Sequence, residues 1–97
     1  MFCDDDESIL DAAKTAIESY GYNVVTAQSG EECLERLDEA DLIFLDIKMP
    51  GMDGIETLKY IKQRDSSIPI IMITAYATVD SAIEAMKEGA FDYIRKP

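Results

Sequence analysis

The distribution of apolar residues along the chain predicts alternating strands and helices. Residues 42–45 and 70–73 are apolar without interruption, which is typical of strands covered by helices on both faces. Other segments have apolar residues every three or four positions, as amphipathic helices do. The pattern predicts strands at 1–3, 22–27, 41–46, 68–74 and 91–95, and helices at 8–20, 30–40, 54–64 and 79–88.

The predicted helix ends carry residues that favour helix boundaries. Gly21 follows the first helix, and Ser29 with Glu32 three positions later forms a capping-box signature before the second. Either Thr78 or Asp80 is suited to cap the fourth. Strict alternation with short connections predicts an α/β fold, a doubly wound five-stranded parallel sheet with right-handed crossovers.

Size and composition fit one domain. The chain has 97 residues, of which 47% are hydrophobic, and it contains no apolar stretch near the ~20 residues that span a bilayer. It starts with acidic residues rather than a basic and apolar leader, so we expect a cytoplasmic protein with no membrane partner. Cys3 and Cys33 lack metal-site spacing, which favours reduced thiols over the alternative of a disulfide.

The charge and the missing residue types exclude several functions. The net charge is −11, from 20 acidic and 9 basic residues, which argues against direct nucleic acid binding, since that needs clustered lysine and arginine. The chain has no histidine, so histidine metal sites and Ser/His or Cys/His nucleophile pairs are excluded. Any general acid or base must be Asp, Glu, Lys or Tyr.

Polar side chains stand where the predicted strands end. Asp4 and Asp5 follow the first strand, Asp46 closes the third, Thr74 ends the fourth, and Lys96 follows the fifth. The carboxyl ends of parallel strands form one crevice. Carboxylates roughly 5 Å apart repel by about 3 kcal/mol per pair at an effective dielectric constant near 20. A hard divalent cation would relieve this repulsion, and a few carboxylates with room for water and phosphate suit Mg²⁺.

A metal-assisted carboxylate at this position suggests phosphoryl chemistry. Asp46 is placed to act as a nucleophile on phosphorus and to form an acyl phosphate. Thr74 and Lys96 supply a hydroxyl and a positive charge for the phosphoryl oxygens, and the small side chain of Ala75 leaves the backbone open to them.

These motifs together resemble the receiver domains of two-component response regulators. They are the acid pair Asp4-Asp5, the run from Asp46 through Pro50-Gly51 to Gly54, Thr74-Ala75, and Lys96-Pro97. The resemblance covers essentially the whole chain, 1–97, as a single receiver domain. It implies a flavodoxin-like strand order of 2-1-3-4-5. Residues 75–93 look most like receivers of σ54-dependent transcriptional activators.

The resemblance also implies the role of each acidic ligand and its partners. Asp46 matches the phosphoacceptor, Asp4 and Asp5 match the magnesium-binding acid pair, and the backbone carbonyl of Lys48 matches the third protein ligand to the metal. The phosphoryl donor would be a sensor histidine kinase, because this chain has no histidine of its own.

The remaining implied roles concern switching. Thr74 matches the switch hydroxyl that binds the phosphoryl group, Lys96 the lysine that pairs with it, and Tyr93 the aromatic residue that changes rotamer. Lys48 and Tyr76 occupy positions that tune phosphoryl lifetime. The domain would take part in its own phosphorylation and dephosphorylation without being an enzyme. It would signal through the helix from Val79 to Glu88 and the last strand, to an output domain or a separate protein.

The sequence departs from the receiver pattern at both ends. Only three residues precede the acids, and no fifth helix follows Pro97. An uncovered sheet face would favour a homodimer or a swapped dimer, since large apolar patches rarely persist on monomers.

Simpler interpretations of single residues stay open at this point. The acids at 4–7 suit a helix start, Asp46 suits a turn, Thr74 suits any strand, and Lys96 and Tyr93 suit ordinary surface and packing positions. Three alternative functions also remain: a phosphorylation-independent scaffold, an Asp-nucleophile metal-dependent phosphatase, and a flavin-binding domain. The phosphatase would need a second acid where Lys48 stands, and an acidic crevice would repel a flavin phosphate.

Overall fold

Five strands and four helices alternate along the chain in the computed structural model, which describes residues 1–96. Pro97, half of the Lys96-Pro97 motif, lies outside the described residues. The elements are β1 Phe2–Cys3, α1 Glu7–Glu18, β2 Thr26–Ala27, α2 Gly30–Glu35, a 3-10 turn at Leu37–Glu39, β3 Ile43–Leu45, α3 Gly54–Arg64, β4 Ile70–Thr74, α4 Val79–Lys87 and β5 Asp92–Arg95.

The strands form one parallel sheet in the order β2-β1-β3-β4-β5. This confirms the predicted doubly wound fold and its strand order. The strand order reverses between β1 and β3: β2 lies beside β1 on one side, and β4 and β5 follow β3 on the other. In such sheets the ligand crevice lies beyond the carboxyl ends of the strands at this reversal. Asp4 and Asp46 follow these two strands directly.

One face of the sheet, called the covered face, is fully packed by helices. Cys3, Leu45 and Met72 are in register on neighbouring strands and have no exposed surface. They share one apolar cluster with buried residues of three helices. Those residues are Cys33 of α2, Ile55, Leu58 and Ile61 of α3, and Ala85 of α4. Burying such side chains contributes roughly 1.5–3 kcal/mol each.

The other face, called the open face, carries the alternate residues of the same strands. Phe2 and Phe44 stack here with ring centroids 5.5 Å apart, and α1 packs on this side through Leu10, which lies outside the apolar cluster of the covered face. Ile71 and Ile73 are only half-buried, and Ile94 is 44% exposed. β5 is the last element within residues 1–96, so in this part of the chain α1 is the helix that packs on the open face.

The prediction of a six-residue second strand was wrong in extent. Only Thr26 and Ala27 form β2. β1 pairs with it through Phe2 and Cys3. The ladder reaches back no further than the Val25 carbonyl, which accepts from Phe2 N at 2.9 Å.

The predicted second helix is also interrupted. It begins as expected with Ser29, whose side chain accepts from Glu32 N, but α2 ends at Glu35 and a 3-10 turn carries the chain to Ala40. Between the two, Arg36 leaves helical geometry and its guanidinium donates to the Thr26 carbonyl at 2.9 Å.

The first and fourth helices start at capping residues. Asp6 caps α1 by accepting from Ser8 N, and Glu7 lies in its first turn. The helix-start interpretation is therefore correct for these two acids. Thr78, rather than Asp80, caps α4.

Two sequence expectations concern the environment of the chain. Cys3 and Cys33 are both free, buried thiols. Across the described part of the chain, every helix is too short or too polar to cross a bilayer.

Candidate functional site

Main-chain hydrogen bonds hold the two central acids at the ends of their strands. Asp4 N donates to the Ala27 carbonyl and Asp46 N donates to the Cys3 carbonyl, each at 3.0 Å. These bonds extend the sheet ladder by one step beyond β1 and β3, so both acids stand at the rim with fixed backbones. Asp4 Oδ1 also accepts from Asp6 N at 3.0 Å, which orients its carboxylate.

The three predicted metal-binding acids come together. One carboxylate oxygen from each of Asp4, Asp5 and Asp46 lies within 4.8 Å of the other two. Asp4 and Asp46 are buried, with 1% and 6% of their surface exposed, whereas Asp5 faces solvent. They line a cleft of about 820 Å³ whose other predicted members are Lys48, Ala75, Tyr76 and Lys96.

Lys96 joins the two buried acids from the far end of the chain. Its Nζ donates to Asp4 Oδ2 at 2.6 Å and to Asp46 Oδ2 at 3.2 Å. Its backbone is fixed as well, because Lys96 N donates to the Thr74 carbonyl at 2.9 Å. The ammonium is therefore a built part of the site and not a solvated surface charge.

Burial and charge act on these groups in opposite directions. Burial raises the pKa of Asp46, as does the neighbouring Asp4 carboxylate, and together they outweigh the lowering caused by Lys96. Burial alone would lower the pKa of Lys96. Its hydrogen bond with Asp4 and the charge of Asp46 exceed that effect, so the pKa of Lys96 is raised. Lys96 therefore stays charged at neutral pH.

The donor set fits a hard divalent cation. Three carboxylates and one ammonium leave a local charge of about −2, the charge that one divalent ion balances. Among the described residues, Asp46 Oδ1 is the one buried side-chain oxygen or nitrogen without a hydrogen-bond partner. A buried carboxylate oxygen normally has a partner, so this atom is available to a ligand. All the donors are oxygens, which suits Mg²⁺.

Thr74 and Ala75 complete the rim beside the acids. Thr74 is fully buried, and its hydroxyl oxygen accepts from Tyr76 N at 3.1 Å, which leaves the hydroxyl proton free to donate elsewhere. Ala75 is exposed and lines the cleft, although Thr74 itself is not among the lining residues.

Lys48 and Tyr76 stand opposite each other at the mouth of the cleft. The Lys48 ammonium lies 5.4 Å from the centre of the Tyr76 ring, within cation–π range. Both residues are exposed and line the cleft.

Two glycines that follow β3, one in the loop and one at the start of α3, have different structural roles. Gly51 has φ +73, a conformation that favours glycine. Gly54 has an ordinary backbone, but a Cβ there would lie 2.1 Å from the Asp46 carbonyl oxygen. Its missing side chain allows the start of α3 to pack directly on the phosphoacceptor candidate. The sequence motif that contains both glycines does not reveal this close approach.

Tyr93 does not join the acids. It is half-buried and packs against the apolar cluster of the covered face, while its hydroxyl lies 2.7 Å from Ser81 Oγ on α4. No functional motif in the sequence includes Ser81. A serine three positions after a capping threonine is the only sequence signal, and that signal indicates a helix start rather than a contact with β5.

The sheet order and the acidic cleft at its reversal define a CheY-like fold of the flavodoxin type with a polar strand-end site. The response regulator receiver domain family matches residues 1–97. The chain therefore belongs to the receiver domains of two-component response regulators.

Individual proteins agree with this assignment. The transcriptional regulatory protein ZraR of Klebsiella oxytoca is 47% identical over 99 residues, and the match covers all of this chain but 22% of that protein. A CheY-like receiver domain from Methanospirillum hungatei JF-1 superposes with a TM-score of 0.94 at 35% identity, over 99% of this chain and 78% of that one. The CheX-CheY-BeF3-Mg+2 complex of Borrelia burgdorferi gives 0.90 at 32% identity, over 99% and 75%. The chain thus spans about a fifth of the length of the curated relative.

Proposed function

We propose that this domain is a phosphorylation-dependent switch in which Asp46 accepts a phosphoryl group from a sensor histidine kinase. The observation that carries the proposal is the Asp46 carboxylate: one oxygen is bound by Lys96 and the other is buried without a partner. The free oxygen would form the bond to phosphorus while the bond from phosphorus to the donor breaks, and the leaving group would keep the electron pair.

Neighbouring residues would stabilise the transferred group. Lys96 already contacts the acceptor carboxylate and would pair with the phosphoryl oxygens. Thr74 has a hydroxyl proton to donate, and Ala75 leaves the rim open. No water-activating acid stands two positions after Asp46, where Lys48 contacts Tyr76 instead, which favours a phosphoacceptor over a phosphatase.

Asp4, Asp5, Asp46 and the backbone carbonyl of Lys48 would hold Mg²⁺. The bound ion would neutralise charge on the phosphoryl oxygens. The charge balance and the unpartnered Asp46 oxygen support this ligand set, and the Borrelia relative is described with Mg²⁺ and BeF3. A hundredfold excess of Mg²⁺ over its dissociation constant should stabilise the fold by about 3 kcal/mol. Calorimetry should show most of this gain lost in Asp5→Asn, an exposed and conservative replacement.

The decisive experiment is intact mass spectrometry after incubation with acetyl phosphate and Mg²⁺. The native chain should gain the mass of one phosphoryl group, with acetate leaving, and Asp46→Asn should gain nothing. Asp41→Asn serves as the matched control, because Asp41 is an exposed acid outside the cleft. A native chain that stays unmodified, or an Asp46→Asn chain that is still modified, would refute the proposal.

The output surface would be α4 with β5. Val79, Ile83 and Met86 are 75%, 50% and 48% exposed on this helix, and Phe91 before β5 is 71% exposed. Such a patch is suited to a partner protein or an attached output domain. Similarity to a transcriptional regulatory protein supports a role in controlling transcription in the cytoplasm.

Self-association would use the open face. Ile94 is exposed there beside half-buried Ile73, and an apolar sheet surface favours pairing with a second copy. Sedimentation should show concentration-dependent dimers that Ile94→Glu abolishes. Met86→Glu, on α4, is the control that separates this face from the output surface.

A further inference from the structure

Three sulfur side chains lie together beneath the acidic cleft. Cys3 and Cys33 have no exposed surface, and Met49 is 8% exposed. The Cys3 thiol lies 3.7 Å from Met49 Sδ, and it is close enough to the Cys33 thiol for a hydrogen bond between the two. Met49 is also one of the residues that line the cleft. The three residues, called the sulfur cluster, are therefore connected to the cleft through Met49.

The Cys3 thiol has several electron-pair donors around it. Its one proton is a weak hydrogen-bond donor. The Ser29 carbonyl oxygen lies 3.4 Å from Cys3 Sγ, in addition to the thioether of Met49 and the thiol of Cys33. A proton bonds strongly to one partner, whereas a metal ion in the same place would bond to several sulfurs at once. The sulfur cluster thus offers more bonds to an ion than to a proton.

The spacing of the sulfurs suits one shared ion. Metal–sulfur bonds are about 2.3 Å long, as for zinc, so two sulfurs bonded to one ion at an angle of about 110° lie about 3.8 Å apart. The 3.7 Å between Cys3 Sγ and Met49 Sδ agrees with this value. These two ligands would therefore need little rearrangement to bind the ion.

The ligand types and the burial together select the kind of ion. Thiolate and thioether sulfurs prefer soft ions such as Cu(I), whereas Mg²⁺ prefers oxygen. A monovalent ion that replaces the Cys3 proton leaves the charge of the buried core unchanged, which avoids the cost of burying a net charge. Structural zinc sites take four ligands, one more than the sulfur cluster supplies.

We propose that Cys3, Cys33 and Met49 bind one soft monovalent metal ion of the Cu(I) class, at a site separate from the proposed Mg²⁺ ligands. On binding, the Cys3 S–H bond breaks, the proton leaves to solvent, and a sulfur–metal bond forms with no change of oxidation state. The Cys33 thiol and the Met49 thioether each donate an electron pair. Cys3 directly precedes Asp4 and Met49 follows Lys48, so the ion would hold the backbone beneath the cleft.

Anaerobic titration of the whole chain with Cu(I), in competition with a chromophoric Cu(I) chelator, tests the site. One ion should bind per chain, and native mass spectrometry should show the mass of one copper gained and of one hydrogen lost. Met49→Leu and Cys33→Ser should each weaken binding by at least about tenfold, the loss that even outer-shell substitutions cause. Met86→Leu is the matched control, since Met86 is a half-exposed methionine on α4.

Ordinary core packing would give a different result. Equal affinities for Met49→Leu and Met86→Leu would overturn the proposal, and so would two ions bound per chain, because each thiol would then bind its own ion. If Cys33→Ser fails to fold, Met49→Leu decides, because exchanging these two side chains conserves volume.

One further arm separates this site from the acidic cleft. Excess Mg²⁺ and the exposed substitution Asp5→Asn should both leave the Cu(I) affinity unchanged. If either one abolishes Cu(I) binding, the ion occupies the cleft and the sulfur site is refuted. None of these measurements requires phosphorylation, so they stand even if Asp46 accepts no phosphoryl group.

Discussion

The two faces of the sheet differ in how tightly the same strands are packed. On the covered face, Leu45 and Met72 are closed off completely by three helices, whereas on the open face their neighbours Phe44, Ile71 and Ile73 stay half-buried. The strand sequence is equally apolar on both sides. The difference shows that one apolar strand can serve two purposes: one side supplies the stability of the fold, and the other presents surface for a further partner.

The largest expected effect comes from two identical residues on opposite faces of β4. Ile70→Ala should cost about 4 kcal/mol in the free energy of unfolding, because Ile70 is fully buried. Ile71→Ala should cost about 1 kcal/mol, since the half-buried side chain leaves no closed cavity. Urea denaturation measures both. Equal losses would show that the open face is covered in solution, for instance by a second copy.

A pair of glycines sharpens the same comparison. Gly54→Ala should lower the free energy of unfolding by about 3 kcal/mol, because the new Cβ would overlap the backbone of Asp46. Gly21→Ala, at the end of α1, should cost only about 1 kcal/mol, since the new atom has no neighbour within 4 Å and only the positive φ opposes it. Thermal unfolding gives both values. A larger loss at Gly21 would contradict the assigned packing.

Asp46→Asn tests the charged rim between the two faces. A raised folded-state pKa means that the protonated carboxyl stabilises the fold below the unfolded value of 3.8, and that this stability is lost as the pH rises through the folded pKa. Without metal, Asp46→Asn should therefore be about 1 kcal/mol more stable than the native chain at neutral pH. The gain should disappear at pH values below 3.8. Chemical denaturation across this range checks the sign.

The smallest effect is expected on the solvent side of the covering helices. Lys59 on α3 and Glu84 on α4 form an ion pair at 3.6 Å with both side chains about half exposed. Lys59→Ala should change the free energy of unfolding by less than about 0.5 kcal/mol, since exposed pairs contribute little. A double-mutant cycle with Glu84→Ala measures the coupling directly. A coupling above about 1 kcal/mol would mean that the helix contact is more rigid than its exposure indicates.

The sequence predicted the central strands and the site for one physical reason. Apolar runs such as the one before Asp46 have a single stable placement, inside a parallel sheet, and this placement puts the following acids at one edge. The edge strand was harder to predict, because the extent of β2 depends on how many residues β1 offers rather than on its own β-branched residues. The break at Arg36 likewise depends on a tertiary contact, the hydrogen bond to Thr26.

Side-chain partnerships across long distances were also beyond the sequence pattern. The sequence motif predicts Lys96 near a phosphoryl group, but the simultaneous contact of Lys96 with Asp4 and Asp46 follows from how β5 ends. Tyr93 and Ser81 are separated by the rest of α4 and a turn, and neither residue type indicates the other. Such contacts depend on geometry that periodicity and motif spacing do not encode.

The hydrogen bond from Lys96 to Asp4 joins positions 92 residues apart. Contacts of this separation form late in folding, because every intervening segment must first be ordered. Before β5 joins the sheet, Asp4 and Asp46 lie close together without the Lys96 ammonium between them. The acidic site thus gains its counter-charge only when β5 docks, which couples the electrostatic balance of the cleft to completion of the sheet.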